Sequence, residues 1–100
     1  MQSNVDDFIK RYQLQSDAKT RYIDLTSEIG ELGKEIIKAT DYGKKNLEIN
    51  DAIADEVGDC LFSMLALCNA LNIDAEKALL NSLSKYEQRF ANNGRIDSGN

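Results

Sequence analysis

The chain has no proline, no histidine and no tryptophan, and only two cysteines in 100 residues. Each absence narrows its chemistry. Without histidine there is no Ser-His-Asp triad, no His-containing zinc site and no imidazole acid–base catalysis. Cys60 and Cys68 stand eight positions apart, about 12 Å along one helix and too far for a disulfide. Neither belongs to a Cys-x-x-Cys pair, and both read as small core residues. No apolar run approaches the ~20 residues of a membrane-crossing helix, and the polar start Met1–Asp7 lacks a signal-peptide core. We therefore expect a cytoplasmic protein with no membrane partner. A net charge of −5 argues against nucleic acid as a partner, since such binding relies on Lys and Arg neutralising phosphates.

The apolar residues that are present follow the helical period throughout. Helices are expected at about 4–15, 17–42, 47–72 and 74–90. The second would bury Tyr22, Leu25, Ile29, Leu32 and Ile36, and the third Ile53, Val57, Cys60, Met64, Leu67 and Leu71. Asp41-Tyr42-Gly43-Lys44-Lys45-Asn46 reads as the turn between them, with Gly43 as the stop signal, and Asp74 as the N-cap of the fourth helix. The expectation is an all-α, four-helix bundle-like single domain over residues 1–91, with a flexible polar tail at 92–100. The broad apolar face of the third helix (Leu61, Met64, Leu65, Leu67, Cys68, Leu71) exceeds what one small protomer would cover, which predicts a homodimer or homotetramer.

Two short stretches stand out. Glu28-Ile-Gly-Glu31 and Glu56-Val-Gly-Asp59 each set two carboxylates three positions apart around a glycine. Glu31 and Glu56 lie about equally far from the turn, so antiparallel helices bring all four acids to one level. No Lys or Arg occurs from Asn46 to Glu76, so Asp51, Asp55, Glu56 and Asp59 have no base on their own helix to relieve their repulsion. Gly30 and Gly58 each cost about 1 kcal/mol against alanine inside a helix, which suggests a close approach to the backbone at both. Clustered oxygen ligands without His or Cys suit a hard cation, Mg²⁺ or Mn²⁺, which commonly bridges carboxylates to substrate phosphates.

Ser27-Glu-Ile-Gly-Glu-Leu32 followed by Asp55-Glu-Val-Gly-Asp-Cys-Leu61 resembles the Glu-x-x-Glu … Glu-x-x-Asp signature of MazG-like nucleoside triphosphate pyrophosphohydrolases, of the all-α NTP pyrophosphatase group. The resemblance covers most of residues 17–91 and continues through Lys85-Tyr-Glu-Gln-Arg-Phe90. It departs at Ser27, where many relatives carry a second consecutive Glu; Glu35 or Asp55 could substitute there. The resemblance implies Glu28, Glu31, Glu56 and Asp59 as metal ligands, and Mg²⁺-dependent cleavage of a nucleoside triphosphate to a monophosphate and pyrophosphate, a role in nucleotide-pool housekeeping. Small members of this group are usually dimers or tetramers.

Glu31 or Glu35 is then the candidate general base, its proton affinity raised by neighbouring carboxylates. Lys85 and Arg89, four apart on the last helix, are candidate phosphate ligands. Lys44 and Lys45 also lie within reach of a phosphate from the turn, and Phe62, Tyr22 and Tyr86 offer faces for a base. Two other classes compete: a di-iron bundle, disfavoured by the missing His, and a non-enzymatic helical dimerisation or adaptor module whose acids face a basic partner.

Overall fold

The computed structural model describes residues 1–97. Four helices follow one another, α1 (Gln2–Arg11), α2 (Ala18–Ala39), α3 (Asp51–Ala70) and α4 (Ala75–Asn93), with no strand among the described residues. Three of the four starts are set by side-chain caps. Asp17 accepts from the Thr20 amide at 2.8 Å, Asn50 from Ile53 at 2.9 Å and Asp74 from Lys77 at 3.1 Å, each satisfying an amide that has no partner inside its helix. Asn50 moves the start of α3 four residues beyond the expected one; an Asn directly before Asp51 was the available signal.

α2 ends at Ala39, and the chain then turns through three successive left-handed residues, Asp41 (φ 48°), Tyr42 (φ 58°) and Gly43 (φ 89°). Thr40 Oγ1 supports the turn by accepting from the Gly43 amide at 3.1 Å. Gly94, at φ 71°, terminates α4, so the helix runs two residues into the expected tail. Residues 98–100 of that tail lie outside the described residues.

α2 and α3 form the main packed pair, and α1 lies on the C-terminal half of α3. There Phe8 meets Phe62 edge-on at 5.8 Å between ring centroids, and Ile9 is buried. Arg21 Nη2 donates to the Leu14 carbonyl, tying the first turns of α2 to the α1–α2 linker. α4 leaves α3 at 102° and makes at most marginal contact with the other helices. None of its residues is buried. The radius of gyration is accordingly 16.9 Å, against about 13 Å for a compact chain of this length.

The face that α2 turns toward α3 differs from the expected one. Its inward residues are Ala18, Arg21, Leu25, Glu28, Leu32, Glu35 and Ala39. Leu25 and Leu32 are shared with the expected stripe, but the helix is rolled by about 60° toward Glu28. Tyr22 and Ile29 are left 60% and 54% exposed. On α3 the residues facing α2 are Ile53, Glu56, Cys60, Ser63 and Leu67, while Phe62, Leu65, Ala66 and Asn69 form the flank toward α1; Val57 and Met64 of the expected stripe are exposed. The exposed stripes of α2 (Tyr22, Ile29) and α3 (Val57, Leu61, Met64) are offset from the inward face in the same sense. In an antiparallel pair that puts them on one side of the hairpin.

Candidate functional site

The roll of α2 has a direct chemical consequence: it carries Glu28 and Glu35 to the inward face, opposite Glu56 of α3. Oxygens of Glu28, Glu56 and Asp59 all lie within 4.8 Å of one another. Glu28 and Glu56 are half-buried and Asp59 is exposed, so the cluster opens to solvent on one side. Glu31 is also exposed. It and Asp59 are offset from the seam in the sense opposite to the apolar stripes, so they flank the mouth of the cluster on the other side of the hairpin.

Glu56 is the least comfortable member. Its Oε2 is buried and has no hydrogen-bond partner, a condition that costs free energy unless something outside the chain satisfies it. Burial, and after it the negative charges of Asp59, Glu28, Glu31 and Glu35, push the Glu56 carboxyl above the usual glutamate range. Cys60, one turn further along α3, is pushed up for the same two reasons, first burial and then Glu28, Glu56 and Asp59. A raised thiol is a poor nucleophile, in keeping with a core role.

Of the residues expected to act, the structure gathers Glu28, Glu56 and Asp59, and sets Glu31 and Glu35 close enough for their charges to reach Glu56. Glu35 is engaged by Lys38, whose Nζ lies 3.5 Å from its Oε1. Just beyond, an open cleft of about 350 Å³ runs between the last turns of α2 and residues 45–50, lined by Glu35, Lys38, Lys45, Glu48 and Ile49. Lys45 therefore lines the same cleft as Glu35, and Lys38 was missed in the sequence because its i, i+3 pairing with Glu35 reads as an ordinary surface pair.

Lys85 and Arg89 are not brought to the acids within the chain, because α4 does not pack on the hairpin. Lys85 Nζ lies 5.3 Å from the centre of the neighbouring Tyr86 ring, and Arg89 Nη1 donates to the Ile96 carbonyl at 3.4 Å. Gly30 and Gly58 also behave differently from the expectation. Both point directly away from the α2–α3 seam, and a Cβ at either would meet nothing within 4 Å. Among the described residues, no other part of the chain approaches them.

The donor set suits a small hard cation. Three carboxylate oxygens converge from two helices, one of them buried and unpartnered, and no nitrogen or sulfur donor competes except a thiol held protonated.

Comparison with known proteins agrees with this chemistry. The family profile described as the MazG nucleotide pyrophosphohydrolase domain matches residues 17–93, a span that contains α2, α3 and α4 and excludes α1. The uncharacterized protein YpjD of Bacillus subtilis (strain 168) is 37% identical over 68 residues, which cover 65% of this chain and 60% of YpjD. The chain thus spans less than two thirds of that relative. No solved structure matches.

Proposed function

The chain belongs to the MazG nucleotide pyrophosphohydrolase domain family, and on that premise we propose that it hydrolyses nucleoside triphosphates to the monophosphate and pyrophosphate. The observation that carries this reading is the buried, unpartnered Oε2 of Glu56 facing Glu28 and Asp59. A structural glutamate would be paired or exposed; one left bare among like charges is arranged to receive a cation.

In this reading Glu28, Glu56 and Asp59 hold Mg²⁺, or Mn²⁺ in its place, with Glu31 completing the set at the mouth. Such an ion would neutralise charge on the phosphate oxygens and make the attacking water more acidic. Glu31 or Glu35 accepts the proton of the attacking water; both lie close enough to the cluster for their charges to reach Glu56. The water oxygen bonds to the α-phosphorus, the bond to the bridging oxygen breaks, and pyrophosphate leaves. Lys85 and Arg89 hold the β- and γ-phosphates through charge-assisted hydrogen bonds.

α4 must then be presented to an acid site by something beyond its own chain, and a second copy is the natural partner. The apolar stripe of α2 and α3 lies on one side of the hairpin, and α4 carries another in Leu79, Leu83 and Phe90, exposed by 58%, 53% and 61%. Together these surfaces are suited to a homodimer or homotetramer. The chemistry fits a cytoplasmic enzyme of nucleotide-pool housekeeping, with no nucleic-acid or membrane partner; no single helix is long and apolar enough to cross a membrane.

The exposed stripe of α4 also favours the second reading, a non-enzymatic dimerisation or adaptor module. That reading leaves Glu56 unexplained. Incubating the protein with a panel of nucleoside triphosphates and Mg²⁺, and measuring pyrophosphate, separates the two. Release of pyrophosphate from at least one nucleotide is expected; orthophosphate release, or no turnover of any, would overturn the proposal.

A further inference from the structure

α1 lies outside the segment that matches the family, yet one of its side chains makes more long-range hydrogen bonds than any other among the described residues. Gln2 Nε2 donates to Asn69 Oδ1 at 2.9 Å and to the Ile73 carbonyl at 2.7 Å, and Gln2 Oε1 accepts from the Ala75 amide at 2.8 Å. The Asn69 amide returns a longer contact of 3.4 Å to the Gln2 carbonyl. These partners are the last turn of α3, the connecting turn and the first residue of α4. Ala75 N–H is one of the amides that a helix start leaves without an internal acceptor. Asp74 serves the Lys77 amide, and Gln2 serves this one from 73 residues away.

The turn itself is closed by backbone hydrogen bonds from the Leu71, Asn72 and Ile73 amides to the Leu67, Asn69 and Cys68 carbonyls, but these finish α3 and none reaches α4. Asn72 sits at φ 57°, where the chain reverses, and α4 contributes no buried side chain. Between α1, the end of α3 and the start of α4 lies an open cleft of about 1200 Å³ with Leu61, Leu65, Ile73 and Leu79 along it. Burying apolar surface is favourable, so an unbraced α4 would fold inward and bring Leu79 onto Leu61 and Leu65.

We propose that Gln2 is a positioning residue that braces the α3–α4 joint, fixing the 102° angle at which α4 departs and holding the cleft open. The joint is held by both functions of one amide, a donor for the Ile73 carbonyl and an acceptor for the Ala75 amide. The consequence for Lys85 and Arg89, whose placement the brace would set, rests on the phosphate role proposed for them above.

The test is a distance distribution. Spin labels at Ala52→Cys on α3 and Ser84→Cys on α4, both exposed, in a Cys60→Ser/Cys68→Ser background and diluted with unlabelled protein, report the angle by pulsed electron resonance. A single narrow distribution is expected for the parent, and a broadened or shortened one for Gln2→Ala. Gln2→Glu keeps the acceptor but not the donor, and should resemble Gln2→Ala. Asn69→Ala, which removes only the Asn69 contacts, should broaden the distribution less, and serves if Gln2→Ala does not fold. Ile9→Val weakens the docking of α1 without touching the joint; it should lower the melting temperature and leave the distribution narrow. An unchanged distribution in Gln2→Ala or Gln2→Glu overturns the brace, as does equal broadening in Ile9→Val. On a nucleotide that the parent hydrolyses, Gln2→Ala should raise KM and lower kcat/KM by about threefold to tenfold with kcat nearly unchanged. A parent inactive on every nucleotide would overturn the proposed function, and the distance measurement would still decide the brace.

Discussion

The hairpin of α2 and α3 and the projecting α4 are built from similar material and meet opposite fates. Both are amphipathic, both carry charged residues expected to act on one substrate, and both start from a well-made side-chain cap. In the hairpin, Leu25, Ile53 and Ala66 are buried, and carboxylates from both helices lie within 4.8 Å of one another. In α4, Leu79, Leu80, Leu83 and Phe90 are all more than half exposed. The difference teaches that the two halves of the candidate site have different sources of order. The acid half is made by this chain alone. In the proposed reading, the basic half is oriented by one remote glutamine and completed by a partner surface.

Breaking the acid half should have the largest effect. Glu56→Gln or Asp59→Asn keeps shape and removes one charge, and nucleotide hydrolysis should fall by at least about a hundredfold. Metal-free, either variant should melt no lower than the parent, because a repulsive carboxylate has gone. Added Mg²⁺ should then raise the melting temperature much less than in the parent, since stabilisation follows affinity for the folded state. Equal Mg²⁺-induced shifts in parent and Asp59→Asn would remove the cation from α3.

The packing contrast is sharpened by one substitution on each side. Leu25→Ala, in the seam, should cost about 2–4 kcal/mol in denaturant unfolding. Leu83→Ala, on α4, should stay within about 0.5 kcal/mol in dilute monomer, and should instead weaken self-association measured by light scattering. A stable 11.2 kDa monomer at micromolar concentration would remove the partner from the account.

On the basic half, Arg89→Ala should lower kcat/KM about tenfold to a hundredfold, the range for losing one charge-assisted contact, without loss of fold. Unchanged kinetics would make Lys85 and Arg89 an ordinary solvated pair.

The smallest effect is that of pH on the metal-free protein. The Glu56 carboxyl is raised in the folded state, so the folded chain holds this proton more tightly than the unfolded one. Its contribution is fully present below the unfolded glutamate value and is lost as pH rises through the folded one. Asp17 is shifted the other way by its hydrogen bonds to Thr20, and its contribution is lost as pH falls through its lowered value. Melting curves should therefore show Glu56→Gln more stable than the parent at neutral pH, with the gap closing on acidification. A gap independent of pH would mean that the Glu56 charge is not what burdens the fold.

Much of this was legible in the residues. The all-helical class follows from the period of apolar positions and the absence of proline, and Asp74 marks its helix start as a capping residue should. The two acid pairs stand at i and i+3, with Glu31 and Glu56 about equally far from the turn, so an approach of the two helices' acids was legible in the spacing; that Glu28, Glu56 and Asp59 form the group and Glu31 stays outside it was not. The start of α3 was less legible, because Leu47 and Ile49 continue the apolar pattern while Asn50 supplies the cap that interrupts it. The surroundings of Gly30 and Gly58 were not legible either: a glycine signals missing bulk without saying which side of the helix needs it.

The sequence by itself determined which residues share a face, because 3.6 residues per turn fixes their angles on the helix regardless of what lies nearby. Only the tertiary structure decided which edge of that face turned inward. On α2, Leu25 and Leu32 are flanked by Ile29 and Ile36 on one edge and by Glu28 and Glu35 on the other, and periodicity keeps both leucines inward under either roll. The packing against α3 selects the glutamate edge, which brings Glu28 into a cluster with Glu56 and Asp59, where one oxygen of Glu56 is buried. The direction of α4 was likewise beyond the period. A helix's course after a turn depends on what grips the joint; local backbone bonds close the turn after α3, but the bonds from Gln2, at the opposite end of the chain, to Ile73 and Ala75 are ones that no local pattern encodes.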